Sequence, residues 1–147
     1  MTGLLELVEA ARQGGDLAPL TAAIPAARFL GLAVDRHGDE LLTRLDFAPH
    51  LVGNALLPAL HGGTIAALLE SAAIYGLLWD TRSEGMPKTI SITVEYLRSA
   101  KATTTWARTE IIHHGRRVAT VRGVAYQDDV AKPVAAATVH LLVKSPA

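Results

Sequence analysis

An α+β fold, with one antiparallel β-sheet wrapped around a single long α-helix, is what this chain of 147 residues predicts. Three observations carry the prediction. The stretch from Leu60 to Asp80, LHGGTIAALLESAAIYGLLWD, runs for well over four helical turns with Glu70 as its one charge before Asp80, and a helix apolar on nearly all sides must be covered by other structure. After it come four segments rich in Val, Ile, Thr and aromatic residues, joined by links that permit antiparallel neighbours but not helical crossovers. Before it lies a pair of strand-like segments joined by a turn.

Leu4, Leu5, Leu7, Val8 and Ala11 recur at helical spacing between Glu6, Glu9 and Arg12, and Gly14-Gly15 ends the pattern. Leu17 to Ile24 suits one or two further turns. Residues 1–24 therefore form an N-terminal helical segment, and residues 25–147 one domain. Arg28 to Val34 and Glu40 to Phe47 read as strands joined through Arg36, His37, Gly38 and Asp39. Ala48 to Leu60, with two prolines and Gly53, is a loop. Beyond the long helix, Thr89 to Arg98, Thr103 to His113, Arg117 to Gln127 and Val134 to Val143 form a four-stranded meander. In the first of these strands Ile90, Ile92, Val94 and Tyr96 alternate with Thr89, Ser91, Thr93 and Glu95, which places the two sets on opposite faces.

Half of the residues are hydrophobic but only 5% aromatic, so small aliphatic side chains build the core. Fourteen basic residues balance fourteen acidic ones, without the basic excess that nucleic-acid or membrane-surface binding uses. The chain has no cysteine, hence no disulfide, thiolate metal site or cysteine nucleophile, in keeping with a cytoplasmic location. MTGLLELVEAARQGG lacks the basic and continuous apolar regions of a signal peptide. The long helix has the length to span a bilayer, but Glu70 near its centre would cost about 2.5–3.5 kcal/mol there; a helix buried in protein is expected. No histidine pair has the spacing of a helical zinc motif, and no metal is expected.

On the helix, Gly63, Ala66, Ala67, Ala73 and Ile74 share a face with Glu70, at about 100° per residue. Small side chains around one carboxylate admit another backbone or a ligand. Two roles fit such a carboxylate: a structural partner for a neighbouring Arg, or a catalytic acid or base. His61-Gly62-Gly63 opens the helix, where free N–H groups and the dipole favour an approaching oxygen. An oxyanion hole and a helix start chosen for close packing both suit it. Glu70 lies nine residues from His61, about 13 Å along the axis. One helix does not readily bring both to one carbonyl, whereas two antiparallel copies do, and function would then require a dimer.

HGGTIAALLE, then VEYLRSA, then HHGRRVATVRGVAYQDD and a final alanine-rich strand resemble the PaaI-type acyl-CoA thioesterases of the hotdog-fold superfamily, over about residues 25–143. The resemblance implies a sheet wrapped around the helix, a homodimer often paired into a homotetramer, and hydrolysis of acyl-CoA without metal or cofactor. It implies that Gly62 or Gly63 supplies an oxyanion N–H, that His61 shapes the helix start, and that Glu70 is the base or nucleophile. Thr89, seven residues before Tyr96, falls where relatives hold a water-positioning hydroxyl. The family often has Asn six residues before its His; here Ala55 stands there and Asn54 is seven before, so Asn54 is the candidate. The acid is Glu where many relatives have Asp, and Ser99 replaces a common proline.

From Arg98 to Arg122 six basic residues face Glu110 alone. Hairpin ends are where a mouth for CoA phosphates forms, and Arg suits phosphate geometry; Arg98, Ser99, Lys101, Arg116 and Arg117 are the substrate-binding candidates. The functional reading is thus a PaaI-like thioesterase with a site shared between subunits. Its alternatives are a non-catalytic acyl-CoA sensor, or a hotdog hydratase or dehydratase. Ile74, Tyr75, Leu77, Leu78 and Trp79 are either an acyl pocket or core.

Overall fold

The computed structural model describes residues 3–144. Among them are helices α1 (Leu4–Arg12), α2 (Ala18–Ala22), α3 (Pro25–Leu30) and α4 (Gly62–Asp80). The strands are β1 (Leu32–His37), β2 (Glu40–Leu45), β3 (Val52–Asn54), β4 (Leu57–Leu60), β5 (Lys88–Tyr96), β6 (Thr105–His114), β7 (Val118–Tyr126) and β8 (Ala135–Leu142). One six-stranded sheet has the order β1-β2-β6-β7-β8-β5, antiparallel throughout, and β3 and β4 form a separate short hairpin.

Three sequence expectations are corrected. The expected strand Arg28–Val34 is α3 followed by the start of β1. Pro25 sits at the first helical position, where its missing N–H costs nothing, and Gly31, at φ 76°, supplies the left-handed residue that ends the helix. The expected loop 48–60 contains a 3-10 turn and the β3–β4 hairpin. The meander holds for β6, β7 and β8, but β5 pairs with β8 at the far edge and not with β6. The link 97–104, extended, reaches roughly 26 Å, ample to cross three strand spacings. It passes the start of α4, where Leu60 N–H donates to Ala100 O at 3.0 Å.

A fourth correction concerns β5. Thr89 lies opposite Leu141 and Ser91 opposite His140, so Ile90 is an extra, unpaired residue. This β-bulge shifts the alternation. Thr89 joins Ile92, Val94 and Tyr96 on the face that looks at α4, while Ile90 turns out and is 56% exposed.

The inward face of the sheet is built from Ala107, Ala119, Val121, Ala125, Ala137, Val139 and Leu141, against Ile65, Leu68, Leu69, Ala72 and Leu77 of α4. So many alanines let the helix axis lie close to the sheet. At Gly76 a Cβ would come within 2.3 Å of Thr109 Oγ1, which marks the closest approach. Although α4 is long and apolar enough to cross a membrane, most of it is covered by the protein. Its Ala66, Ala67, Glu70, Ser71 and Ile74 stripe is only half-buried.

The N-terminal segment has its own core: Val8, Ala11 and Leu20 pack with Val34 and Leu41 of the first hairpin and Tyr75 and Leu78 of α4. Arg12 closes the C-terminal end of α4. Its guanidinium donates to Trp79 O at 2.7 Å, to Thr81 O at 2.5 Å and to Leu78 O, the terminal carbonyls that a helix leaves without partners. Burial pushes the Asp80 carboxyl up, and Arg12 pulls it back down. Arg12→Ala is expected to destabilise the chain by about 2 kcal/mol and lower Tm by about 4–8 °C. An unchanged melting curve would show that water serves these carbonyls equally well.

Candidate active site

His61 is the N-cap of α4, in extended conformation, and its ring Nδ1 accepts from Gly63 N–H at 2.9 Å. The imidazole therefore does the work more often done by a Ser or Asp oxygen at a helix start. Gly53 packs against it so closely that a Cβ there would meet the His61 ring and Cα at 3.0 Å. Next to it, Tyr96 OH donates to Gly62 O at 2.7 Å, with the Tyr96 ring 3.3 Å from where a Gly62 Cβ would lie.

Further along the helix, Glu70 Oε1 accepts from Thr89 Oγ1 at 2.8 Å. The Arg partner expected of a purely structural carboxylate is missing: among the described residues the ion pairs involve other acids. Glu70 is half-buried and lies on the rim of an apolar cavity of about 250 Å³. A hydroxyl donor on one oxygen leaves the other for a water. Strand β5 thus touches both halves of the site, with Thr89 at the Glu70 end and Tyr96 at the Gly62 end.

The remaining candidates divide by position. Asn54 caps its own hairpin turn, Oδ1 accepting from Leu56 N–H at 2.9 Å, and its side chain is exposed. Arg98, Ser99 and Lys101 lie in the exposed link beside the start of α4, held by Arg98 N–H to Val134 O at 3.1 Å and by Lys101 N–H to Gln127 Oε1 at 3.1 Å. Arg116 and Arg117 lie at the other end of β7, where Val143 N–H donates to Arg117 O at 2.8 Å, about 30 Å away along the strand. Within one protomer the basic mouth is therefore split between two ends of the sheet.

Of the possible acyl-pocket residues, Ile74 and Tyr75 line the cavity, whereas Leu77 and Leu78 are core. Trp79 donates to Asp39 O at 3.3 Å. Burial pushes the Tyr75 phenol up to about 12, so it stays a neutral donor, to Leu20 O at 3.2 Å. The sequence reading did not assign Tyr96 a site role, nor α3 and Met86. Tyr96 carried a signal, since it stands in the YLRSA motif; α3 carried none, because its wall of the cavity depends on where the tertiary fold puts it.

Residues 54–142 match the family model described as the acyl-CoA thioesterase N-terminal domain. The chain belongs to this family. It is 29% identical over 146 residues to the medium/long-chain acyl-CoA thioesterase YigI of Salmonella typhimurium, covering 88% of this chain and 91% of that protein. A crystal structure from Chromobacterium violaceum is 34% identical, with a TM-score of 0.75 and 96% of each chain covered. The BH2602 protein of Bacillus halodurans, crystallised with CoA, is 22% identical with a TM-score of 0.73, over 98% of this chain and 91% of that one. The sheet around α4 is the hotdog fold of the thioesterase superfamily.

Proposed function

We propose that this member of the acyl-CoA thioesterase family is of PaaI type and hydrolyses acyl-CoA at a site shared between two subunits. In this reading Glu70 is the general base, or attacks the thioester directly, and Thr89 orients its carboxylate. His61 Nδ1 already holds the Gly63 amide, which leaves the Gly62 amide as the oxyanion donor. The observation that carries the proposal is the Thr89–Glu70 hydrogen bond beside an apolar cavity, on the same helix that starts with His61-Gly62-Gly63.

Strand β5 supports the dimer. It is nine residues long and, among the described residues, unpaired along its outer edge, an arrangement that proteins seldom leave open. Antiparallel pairing of two such edges sets the Thr89 end of one β5 against the Tyr96 end of the other. Glu70 of one copy then faces Gly62 of the partner subunit across the seam, and the half-buried small-residue stripe of α4 leaves room for the approach. The same pairing turns the Arg116–Arg117 end of the partner subunit toward Arg98 and Lys101, gathering the split basic mouth for CoA phosphates. Pairs of such dimers would give the homotetramer.

The direct test is release of CoA thiol from acyl-CoA substrates by purified protein; binding without thiol release would favour the sensor reading. For the basic mouth, a variant with Arg98→Ala and Lys101→Ala is expected to raise KM roughly fivefold for acyl-CoA and to leave KM for a short thioester lacking the nucleotide unchanged. Rising salt should erase the difference. Equal changes on both substrates would remove these residues from CoA recognition.

A further inference from the structure

The peptide between Gly62 and Gly63 is gripped at both ends. Its carbonyl accepts from Tyr96 OH at 2.7 Å, and its N–H donates to His61 Nδ1 at 2.9 Å. Without the grip this is the softest link of the helix start, because two glycines in succession let a peptide plane turn at little steric cost. The peptides before it are fixed by other means. His61 N–H donates to Leu51 O at 2.8 Å, and His61 O accepts from Thr64 N–H at 3.0 Å and Ile65 N–H at 3.3 Å.

Burial does not require the Tyr96 bond. The side chain is 55% exposed, so water would serve its hydroxyl equally well. We propose that Tyr96 is a positioning residue of the oxyanion site. By holding Gly62 O it stops the soft peptide from turning its carbonyl toward the reacting oxygen, and so keeps the adjoining Gly62 N–H aimed there. A developing oxyanion is stabilised most by donors that are already in place, because they need no reorganisation as the charge forms. The one proton of the phenol is committed to Gly62 O, so Tyr96 acts through the backbone and not on the substrate. This inference rests on the thioesterase reading above and deepens it: strand β5 then orients both reacting groups of its own helix, Glu70 through Thr89 and the Gly62 amide through Tyr96.

Tyr96→Phe removes the hydroxyl and keeps the ring. Its kcat per folded molecule is expected to fall about three- to tenfold, the worth of one hydrogen bond, with KM unchanged. The loss stays below the 100-fold or so that an oxyanion donor is worth, because His61 still holds the other end of the peptide. Made in Gly62→Pro, which has no N–H at this position to aim, the same substitution should cost nothing further. Phe presents the same ring to the proline, so only the hydroxyl differs between the two backgrounds. The Gly63 amide, followed by hydrogen exchange in NMR spectra, should exchange about threefold faster or more once its peptide is released at the carbonyl. Unchanged kcat, a change confined to KM, an equal loss in the Gly62→Pro background or unchanged Gly63 exchange each overturns the role of Tyr96 and leaves the thioesterase reading standing. No thiol release by the wild type from any acyl-CoA overturns the thioesterase reading and the oxyanion role together, whatever the exchange shows.

Discussion

Glu70→Gln is expected to lower kcat by at least about 100-fold while the protein keeps its fold and binds a non-hydrolysable acyl-CoA analogue nearly as tightly. The amide retains the size of the side chain and still accepts from Thr89 Oγ1, but it neither takes a proton from water nor attacks a carbonyl. If the carboxylate were only a structural partner, the same change would lower Tm and leave turnover per folded molecule intact. Melting temperature, analogue affinity and kcat measured on one preparation separate the two accounts. Near-normal kcat would take Glu70 out of the mechanism.

The second large effect is expected from Gly62→Pro. Gly62 is the first residue of α4 and follows His61 in extended conformation, a position where proline suits the helix. The substitution removes one N–H, and its ring also meets the Tyr96 ring, which lies 3.3 Å from a Cβ at this position and is tethered through its hydroxyl to Gly62 O; an unchanged melting temperature shows that this contact is absorbed. Loss of a single oxyanion donor costs about 100- to 1,000-fold in kcat. Mixing Gly62→Pro with Glu70→Gln then probes the shared site. Random reassociation of a two-fold dimer puts half the molecules in mixed pairs, each with one intact site, and restores about a quarter of wild-type activity. Two inactive variants that stay inactive after exchange would place both groups in the same subunit.

The composition and periodicity of residues 60–80 were enough to make α4 the axis of the fold, because only a buried helix is apolar on so many sides. The antiparallel runs of β6, β7 and β8 were legible from their short turns. The edge position of β5 was not, since the link 97–104 is long enough for either a neighbouring or a distant strand, and choosing between them takes the whole sheet. Within the site, Glu70 and the His-Gly-Gly start stood out because a lone acid and paired glycines are conspicuous in an apolar helix. The helical state of residues 25–30 was hidden: six residues give too few turns for a period to show, and Pro25 and Gly31 flank a turn as readily as a helix. With α3 hidden, one wall of the cavity was hidden too.

The bulge at Ile90 gives β5 a parity that its sequence numbering conceals. Thr89 and Tyr96 are an odd number of residues apart, and in a regular strand an odd separation sends two side chains to opposite sides. The extra residue makes the separation behave as an even one, so the hydroxyl that meets Glu70 and the phenol that meets Gly62 both face α4. What is constrained at position 90 is thus that the residue there stays out of the ladder. Ile90 points outward and accommodates many side chains; pairing it into the ladder as an ordinary residue would swing Thr89 to the far side of the sheet, whereas deleting it leaves an even separation and keeps Thr89 facing α4. The site therefore depends on the bulge staying a bulge and not on the length of β5.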